Sequence, residues 1–148
     1  MKKSLLIFGV ILITSLTTVA TSPAEAASPI QLGRIQYDSP GKDTTANASV
    51  NGEYVSVTNL GSRPVVLTRW TVRDLKNHVY TFGTYTLPAQ RTVVIRTGRG
   101  TNGPLVRHWN RGWHVWNNTG DRASLRSAKG ALMDTCSWDK HSGGAVRC

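Results

Sequence analysis

The residues best suited to chemistry lie in a stretch that has no acidic side chain. Between Leu75 and Gly120 there is no Asp or Glu, whereas six Lys and Arg residues fall within it. Arginine binds phosphate or carboxylate groups through two parallel hydrogen bonds, and tryptophan offers a flat face on which a base or a sugar stacks. The sequence therefore predicts a ligand-binding surface built from Arg96, Arg99, Arg107, His108, Trp109, Arg111 and Trp113.

The tryptophans also have a purely structural interpretation. In that interpretation Trp116 and Trp109 fill the core, and the stems of neighbouring arginines lie over them. Trp70 belongs to an alternating segment and is expected in the core. Exposure of Trp109 and Trp113 beside arginine side chains would favour binding, whereas burial would favour packing.

Common catalytic patterns are absent from the sequence. It contains no G-x-S-x-G, H-E-x-x-H or Walker loop, and the histidine-rich loop has no neighbouring acid in sequence to orient a histidine base. Asp38 and Asp43 are too few for calcium, which takes about 6–8 oxygen ligands. We predict a protein that is not an enzyme and uses no cofactor or metal, with a small secreted hydrolase as a distant alternative.

The charge balance restricts the class of partner. Without Lys2, Lys3 and Glu25, which precede the predicted domain, 16 basic and 7 acidic residues give a net charge of +9 with histidine neutral. Such a surface attracts polyanions, which include nucleic acid and cell-wall or glycan polymers. The competing hypothesis is that the charge only confers solubility and that the partner is a protein at the cell surface.

Hydrophobic residues mostly alternate with polar ones, and turn residues recur about every 8–12 positions, a pattern typical of an all-β sandwich or barrel. We expect a long, glycine-rich loop over Gly98–Gly112. The predicted strands are Ile30–Tyr37, Glu53–Thr58, Val65–Val72 with a β-bulge or a kink, His78–Phe82, Arg91–Thr97, Val115–Trp116, Asp121–Arg126 and a last strand Ala131–Trp138.

Two long motifs resemble the lamin tail domain family. From Glu53 to Asp74 the chain reads E-Y-V-S-V-T-N-x-G-x-x-P-V-x-L-x-x-W-x-V-x-D, and from Val115 to Leu125 it reads V-W-N-N-x-G-D-x-A-x-L. The motifs occur in the family's order, and the likeness covers about Gly52 to Cys136. The N-terminal leader and the C-terminal cysteine pair are similar to those of small exported actinobacterial members.

The resemblance implies an immunoglobulin-like antiparallel β-sandwich that binds protein or nucleic acid and has no catalytic activity, and it names no ligand. One position departs from the family pattern, because Gln90 stands where the family has glycine after the proline. A left-handed turn is strained with glutamine, so a different turn is expected there.

Residues 1–26 are predicted to be a secretory signal peptide. Lys2 and Lys3 precede the apolar run Leu5–Ala20, and Ala24-Glu25-Ala26 supplies a small-x-small cleavage pattern. A retained anchor is the alternative, but the run is shorter than the roughly 20 residues of a membrane span. Residues 27–148 would then form one secreted domain that is not inserted in a membrane.

Cys136 and Cys148 are the two cysteines of the chain. An even cysteine count in an exported protein suggests a disulfide, which here would hold the C-terminal segment in place. The alternative is a metal site that includes His141, although one C-x4-H with a distant cysteine is a weak zinc pattern.

Export makes a prediction about the N-terminus of the mature protein. Mass spectrometry of culture supernatant should show a chain that starts at Ala27 or Ser28, because the peptidase reads the small residues before that point. An intact Met1 terminus recovered from membranes would contradict it.

Overall fold

The computed structural model describes residues 28–148, and the predicted signal peptide lies outside them. Among the described residues, no helix is long and apolar enough to cross a membrane. The elements are β1 (Ile30–Gln36), α1 (Asn47–Val50), β2 (Tyr54–Asn59), β3 (Val65–Val66), β4 (Thr71–Arg73), β5 (Val79–Thr81), β6 (Thr86–Leu87), β7 (Thr92–Arg96), β8 (Val106–His108), β9 (Gly120–Arg126), β10 (Leu132–Asp139) and β11 (Ala145–Arg147).

The strands pair into a five-stranded sheet of order β11-β1-β2-β7-β8, a four-stranded sheet of order β10-β9-β4-β5 and the short pair β3-β6. Every pairing is antiparallel except that of β7 with β8. The prediction of an all-β, immunoglobulin-like sandwich is therefore confirmed.

Alternation along the strands supplies the core. Val55 and Val57 on β2 and Ile95 on β7 have no exposed surface, and neither has Ala123 or Leu125 on β9. Successive side chains of a strand point to opposite faces, so one apolar residue in every two is enough to line the interior. These residues pack into a single hydrophobic cluster that joins the two larger sheets.

The predicted strand Val65–Val72 was wrong as a single element. The structure has two short strands in different sheets, with a turn between them in which Arg69 adopts φ 67°. The out-of-register spacing of Leu67 and Trp70 arises from this turn and not from a bulge. Trp70 is partly buried and packs against the core from outside a strand.

Three further elements differ from the sequence prediction. Val115 and Trp116 are buried as predicted, but they lie outside any strand. The loop Gly98–Gly112 contains β8, which runs parallel to β7. The strand ending at Asp139 is followed by β11, which pairs with β1.

The turn at Gln90 keeps the left-handed conformation, with φ 57°, so the expectation of a different turn was wrong. Its side-chain amide donates hydrogen bonds to the carbonyl oxygens of Leu60 (2.5 Å) and Gly61 (3.1 Å). These bonds, which glycine cannot make, offset part of the strain of a left-handed residue with a β-carbon.

Cys136 and Cys148 form a disulfide with a Cα–Cα distance of 5.6 Å. Because the two sulfurs are bonded to each other, neither cysteine is free to bind zinc in the alternative site with His141. The bond links β10, an edge of the four-stranded sheet, to the residue after β11, an edge of the five-stranded sheet.

Removing this bridge by Cys136→Ser with Cys148→Ser should lower the free energy of unfolding by about 2–3 kcal/mol, because the closed loop is short. The sandwich should remain folded, since most core residues precede Cys136. Urea denaturation followed by circular dichroism measures both effects. Global unfolding of the variant at room temperature would contradict this prediction.

Candidate functional site

A buried carboxylate fixes the loop that carries the candidate site. Glu53 lies just before β2 and has no exposed surface. Its Oε1 accepts hydrogen bonds from the hydroxyl of Thr97 (2.8 Å) and from the backbone N–H groups of Val115 (2.8 Å) and Trp116 (3.1 Å). The segment before β9 therefore needs no strand partner, because a side chain satisfies its backbone donors.

Burial raises the pKa of Glu53 from 4.5 to about 7. Its hydrogen bonds from Val115, Thr97 and Trp116 act in the opposite direction, and the negative charge of Asp43 adds to the rise. Desolvation wins because a carboxylate loses most of its hydration in the interior.

A continuous row of aromatic side chains crosses the core beside this loop. Neighbouring ring centroids lie 5.0–5.9 Å apart, the spacing of stacked and edge-to-face pairs. The order along the row is Tyr37, Trp138, Trp116, Trp109, Tyr80, Phe82 and Tyr85. Trp116 is thus a buried core residue, and Trp109 is partly buried against the core, as the structural interpretation proposed.

Within the predicted binding surface, Trp113 exposes its aromatic ring to solvent, with 51% of the residue's surface exposed. It lies on an open cleft of about 750 Å³. Basic groups and amides dominate the lining, which consists of Asp43, Lys76, His78, Asn110, Arg111, Gly112, Trp113, His114, Val115, Trp116, Asn117 and Asn118.

The structure divides the seven predicted binding residues. Arg111 and Trp113 line the cleft, and Arg99 lies beside it, since its Nη2 would be 3.9 Å from a β-carbon at Gly112. The backbone carbonyl of Arg99 accepts hydrogen bonds from the amides of Asn47 and Asn51, which hold this loop on α1.

The remaining predicted residues lie against the protein itself. Arg96 donates to the carbonyl oxygen of Asn51 (2.6 Å), and Arg107 lies 4.2 Å from the ring centroid of Tyr85, at the end of the aromatic row. The imidazole of His108 packs on Gly100, where a β-carbon would overlap the ring. Burial, together with the charge of Arg96, lowers the pKa of His108, so it adds little positive charge at neutral pH.

Carboxylates approach two histidines of the acid-free stretch. Asp74 Oδ2 lies 2.6 Å from Nδ1 of His78. His114 has Asp43 Oδ1 at 3.6 Å from Nε2 and Glu53 Oε2 at 3.9 Å from Nδ1. Asp74 lies only four residues before His78. By contrast, the fold brings Asp43 and Glu53 to His114 from distant segments, so the expectation that the loop lacks an orienting acid holds there only along the sequence.

His114 lies between Ser49 and Glu53, as the histidine of a catalytic triad lies between its nucleophile and its acid, but the distances are not those of a triad. Ser49 Oγ lies 3.3 Å from His114 Nε2, while the distance from His114 Nδ1 to Glu53 is beyond hydrogen-bond range. Ser49 is also not among the residues that line the cleft. The Ser49–His114 contact therefore lacks the hydrogen bond from His114 Nδ1 to an acid that a triad has.

All seven carboxylates of residues 28–148 accept hydrogen bonds from backbone, Asn, Thr, Ser or His donors. The ion pairs of this part of the chain involve only histidine, so no Lys or Arg within it lies within 4.0 Å of a carboxylate. The same residues contain no cluster of three or more His, Cys, Asp or Glu suited to a metal ion. The positive charge is therefore not neutralised by internal pairs.

The raised pKa of Glu53 predicts how stability depends on pH. A carboxyl group with a higher pKa in the folded state stabilises the protein fully below about pH 4.5, and this contribution is lost as the pH rises to about 7. The loss should be at most about 3 kcal/mol in urea denaturation. Glu53→Gln keeps the accepting oxygen and should remove the part of the pH dependence of stability that is due to Glu53. The difference from the unaltered protein separates this part from the contribution of histidine titration. The exposed Asp139→Asn is the control, and an unchanged slope in Glu53→Gln would refute the assignment.

Comparison with known proteins agrees with this architecture. Residues 23–140 match the model of the Lamin Tail Domain family, and no curated protein matches the chain. The domain of this family is immunoglobulin-like and generally non-enzymatic. The match spans most of the chain, including the motif from Glu53 to Asp74 and the loop that Glu53 holds. This protein therefore belongs to the lamin tail domain family.

Proposed function

We propose that this chain is an exported, non-catalytic binding module that holds a polyanion, either nucleic acid or a cell-surface polymer, at the cleft around Trp113. The observation that carries the proposal is the half-exposed indole of Trp113 in a cleft that also contains Arg111 and Lys76. An aromatic face beside basic side chains binds a base or sugar by stacking and its charged group by electrostatic attraction.

The unpaired state of the basic residues supports an anionic ligand. A guanidinium already bound to a carboxylate must lose that partner before it contacts a ligand, whereas Arg111 and Arg99 have no such partner among the described residues. Their charges therefore add to the long-range attraction of a polyanion. Screening by salt should weaken this attraction.

Rigidity of the loop also favours binding. Glu53 fixes the backbone of Val115 and Trp116, and the backbone N–H of Arg111 donates to the carbonyl oxygen of Thr97 (2.9 Å). Trp113 is thus exposed between two anchored positions. A preorganised side chain loses less conformational entropy when it contacts a ligand.

The proposal of export rests on two independent features. The N-terminal segment has the order of a signal peptide, with basic residues, an apolar run and small residues. The disulfide between Cys136 and Cys148 is of the kind that persists in an oxidising compartment.

A protein partner at the cell surface is the second candidate, and exposed apolar residues favour it. Leu75 is 59% exposed and directly precedes Lys76 of the cleft, and Val79 lies on β5, an edge strand of the four-stranded sheet. Exposed apolar side chains next to an edge strand are a common feature of protein contacts.

Binding to DNA, teichoic acid and heparin, titrated at several salt concentrations, tests the first candidate. Trp113→Ala should weaken binding by about 1–3 kcal/mol if a base or sugar stacks on the indole, and it should change stability by no more than about 0.5 kcal/mol because the side chain is exposed. Arg111→Ala should reduce the slope of log affinity against log salt by about one.

Arg63→Ala is the matched control, because Arg63 is equally basic and exposed but lies in the turn between β2 and β3, away from the cleft lining. Equal losses in Arg63→Ala and Arg111→Ala would show that only net charge matters. Absence of salt-sensitive binding to all three polymers would favour the protein partner.

A further inference from the structure

The outer face of the five-stranded sheet brings two arginines into direct opposition. Arg34 on β1 and Arg147 on β11 are cross-strand partners. The Cys148 N–H donates to the carbonyl oxygen of Gly33, so these neighbours form a hydrogen-bonded pair. Hydrogen-bonded and non-hydrogen-bonded pairs alternate along an antiparallel ladder. Arg34 and Arg147 therefore form a non-hydrogen-bonded pair.

This kind of pair brings side chains closest together, with Cα atoms about 4.5 Å apart. Like charges placed directly opposite each other destabilise a sheet. Within residues 28–148, neither Arg34 nor Arg147 forms an ion pair with a carboxylate. No carboxylate of that part of the molecule therefore offsets the repulsion between the two positive charges.

The side chain of Arg34 and the backbone of Arg147 are held in place. The Nη2 of Arg34 donates to Oε1 of Gln36 (3.0 Å), and the amide of Gln36 donates in turn to the carbonyl oxygens of Asp38 (2.8 Å) and Gly144 (3.1 Å). Arg147 directly precedes Cys148, which the disulfide ties to β10. The two strand positions that carry the arginines therefore stay opposite each other.

The surroundings of the pair favour an anion. None of the five strands of this sheet contains an Asp or Glu residue. A row of Cα partners on β1, β2, β7 and β8 continues from Gln36 through Tyr54 and Arg96 to His108. Thus amide, aromatic and basic groups extend from the arginine pair across the sheet.

We propose that Arg34 and Arg147 form a binding site for one tetrahedral oxyanion, a phosphate or sulfate group, separate from the Trp113 cleft. Each planar guanidinium donates two parallel hydrogen bonds to a pair of anionic oxygens. A group with three or four oxygens accepts from both arginines at once, and its negative charge replaces their repulsion by attraction. The site goes beyond the proposed function, because no residue of the cleft takes part.

The test uses inorganic phosphate at millimolar concentration and constant ionic strength, with the arginine Nε–H signals followed by NMR. The signals of Arg34 and Arg147 should shift together with one dissociation constant. Arg34→Ala and Arg147→Ala should each weaken this binding about tenfold, because each removes a charge-assisted pair of hydrogen bonds. Arg122→Ala, an exposed arginine on the four-stranded sheet, is the matched control and should bind as the unaltered protein does.

A second measurement separates a ligand site from a structural role. Without phosphate and at low salt, the double-mutant cycle of Arg34→Ala and Arg147→Ala should show an unfavourable coupling in stability, which phosphate should reverse. The disulfide-free Cys136→Ser, Cys148→Ser variant should bind phosphate more weakly, because Arg147 is no longer held beside Arg34. Phosphate shifts that are equal in both alanine variants and the unaltered protein would overturn the proposal.

The source of the group is resolved with polymers. Heparin presents sulfate groups, whereas single-stranded DNA presents phosphodiesters, and preferential loss of one affinity in Arg147→Ala identifies the source. Trp113→Ala should leave the phosphate shifts of Arg34 and Arg147 unchanged. If phosphate does not bind at the arginine pair but Trp113→Ala still weakens polymer binding, the arginine site alone is overturned and the cleft remains supported.

Discussion

The buried carboxylate of Glu53 is the constraint on which the rest of the site depends. One oxygen accepts three hydrogen bonds from residues that lie 44, 62 and 63 positions away in the chain. It thereby replaces the strand partner that the Val115–Trp116 segment lacks, and it places Trp116 in the aromatic row. Removing this acceptor would leave buried backbone donors unsatisfied, which costs more than the hydrogen bonds themselves contribute. The cleft around Trp113 is a consequence of that anchor.

The same use of acidic groups explains the charge of the surface. Asp121 accepts from the backbone N–H groups of Leu75 and Asn117, and Asp134 accepts from that of Leu32, so both carboxylates join separate segments of the fold. With the acids committed to such contacts, the arginines have no internal counterion among the described residues. The high net charge is therefore more than an excess in composition, because it is available to ligands.

Local patterns in the sequence predicted the parts of the fold that depend on local order. Alternation identified the strand with Val55 and Val57, since one face of it is buried. The change of sheet at Arg69 was not predictable from the sequence, because it depends on the strands with which β3 and β4 pair. Glu53 belongs to one of the two family motifs, but its role in the fold depends on partners far along the chain. Likewise, composition could not separate the partly buried Trp109 from the exposed Trp113, because both lie in the same basic stretch.

Two anion positions on one rigid domain have a physical consequence that neither has alone. A single exposed arginine gains little from one anionic group, because water and salt screen the interaction. A polymer that contacts both the cleft and the Arg34–Arg147 pair makes its second contact within one molecule, at a high effective concentration. That gain requires a fixed distance between the sites. The disulfide, which fixes the segment after β11, and Glu53, which fixes the loop of the cleft, supply it. These two anchors are therefore also the elements that would select polymers over free ions.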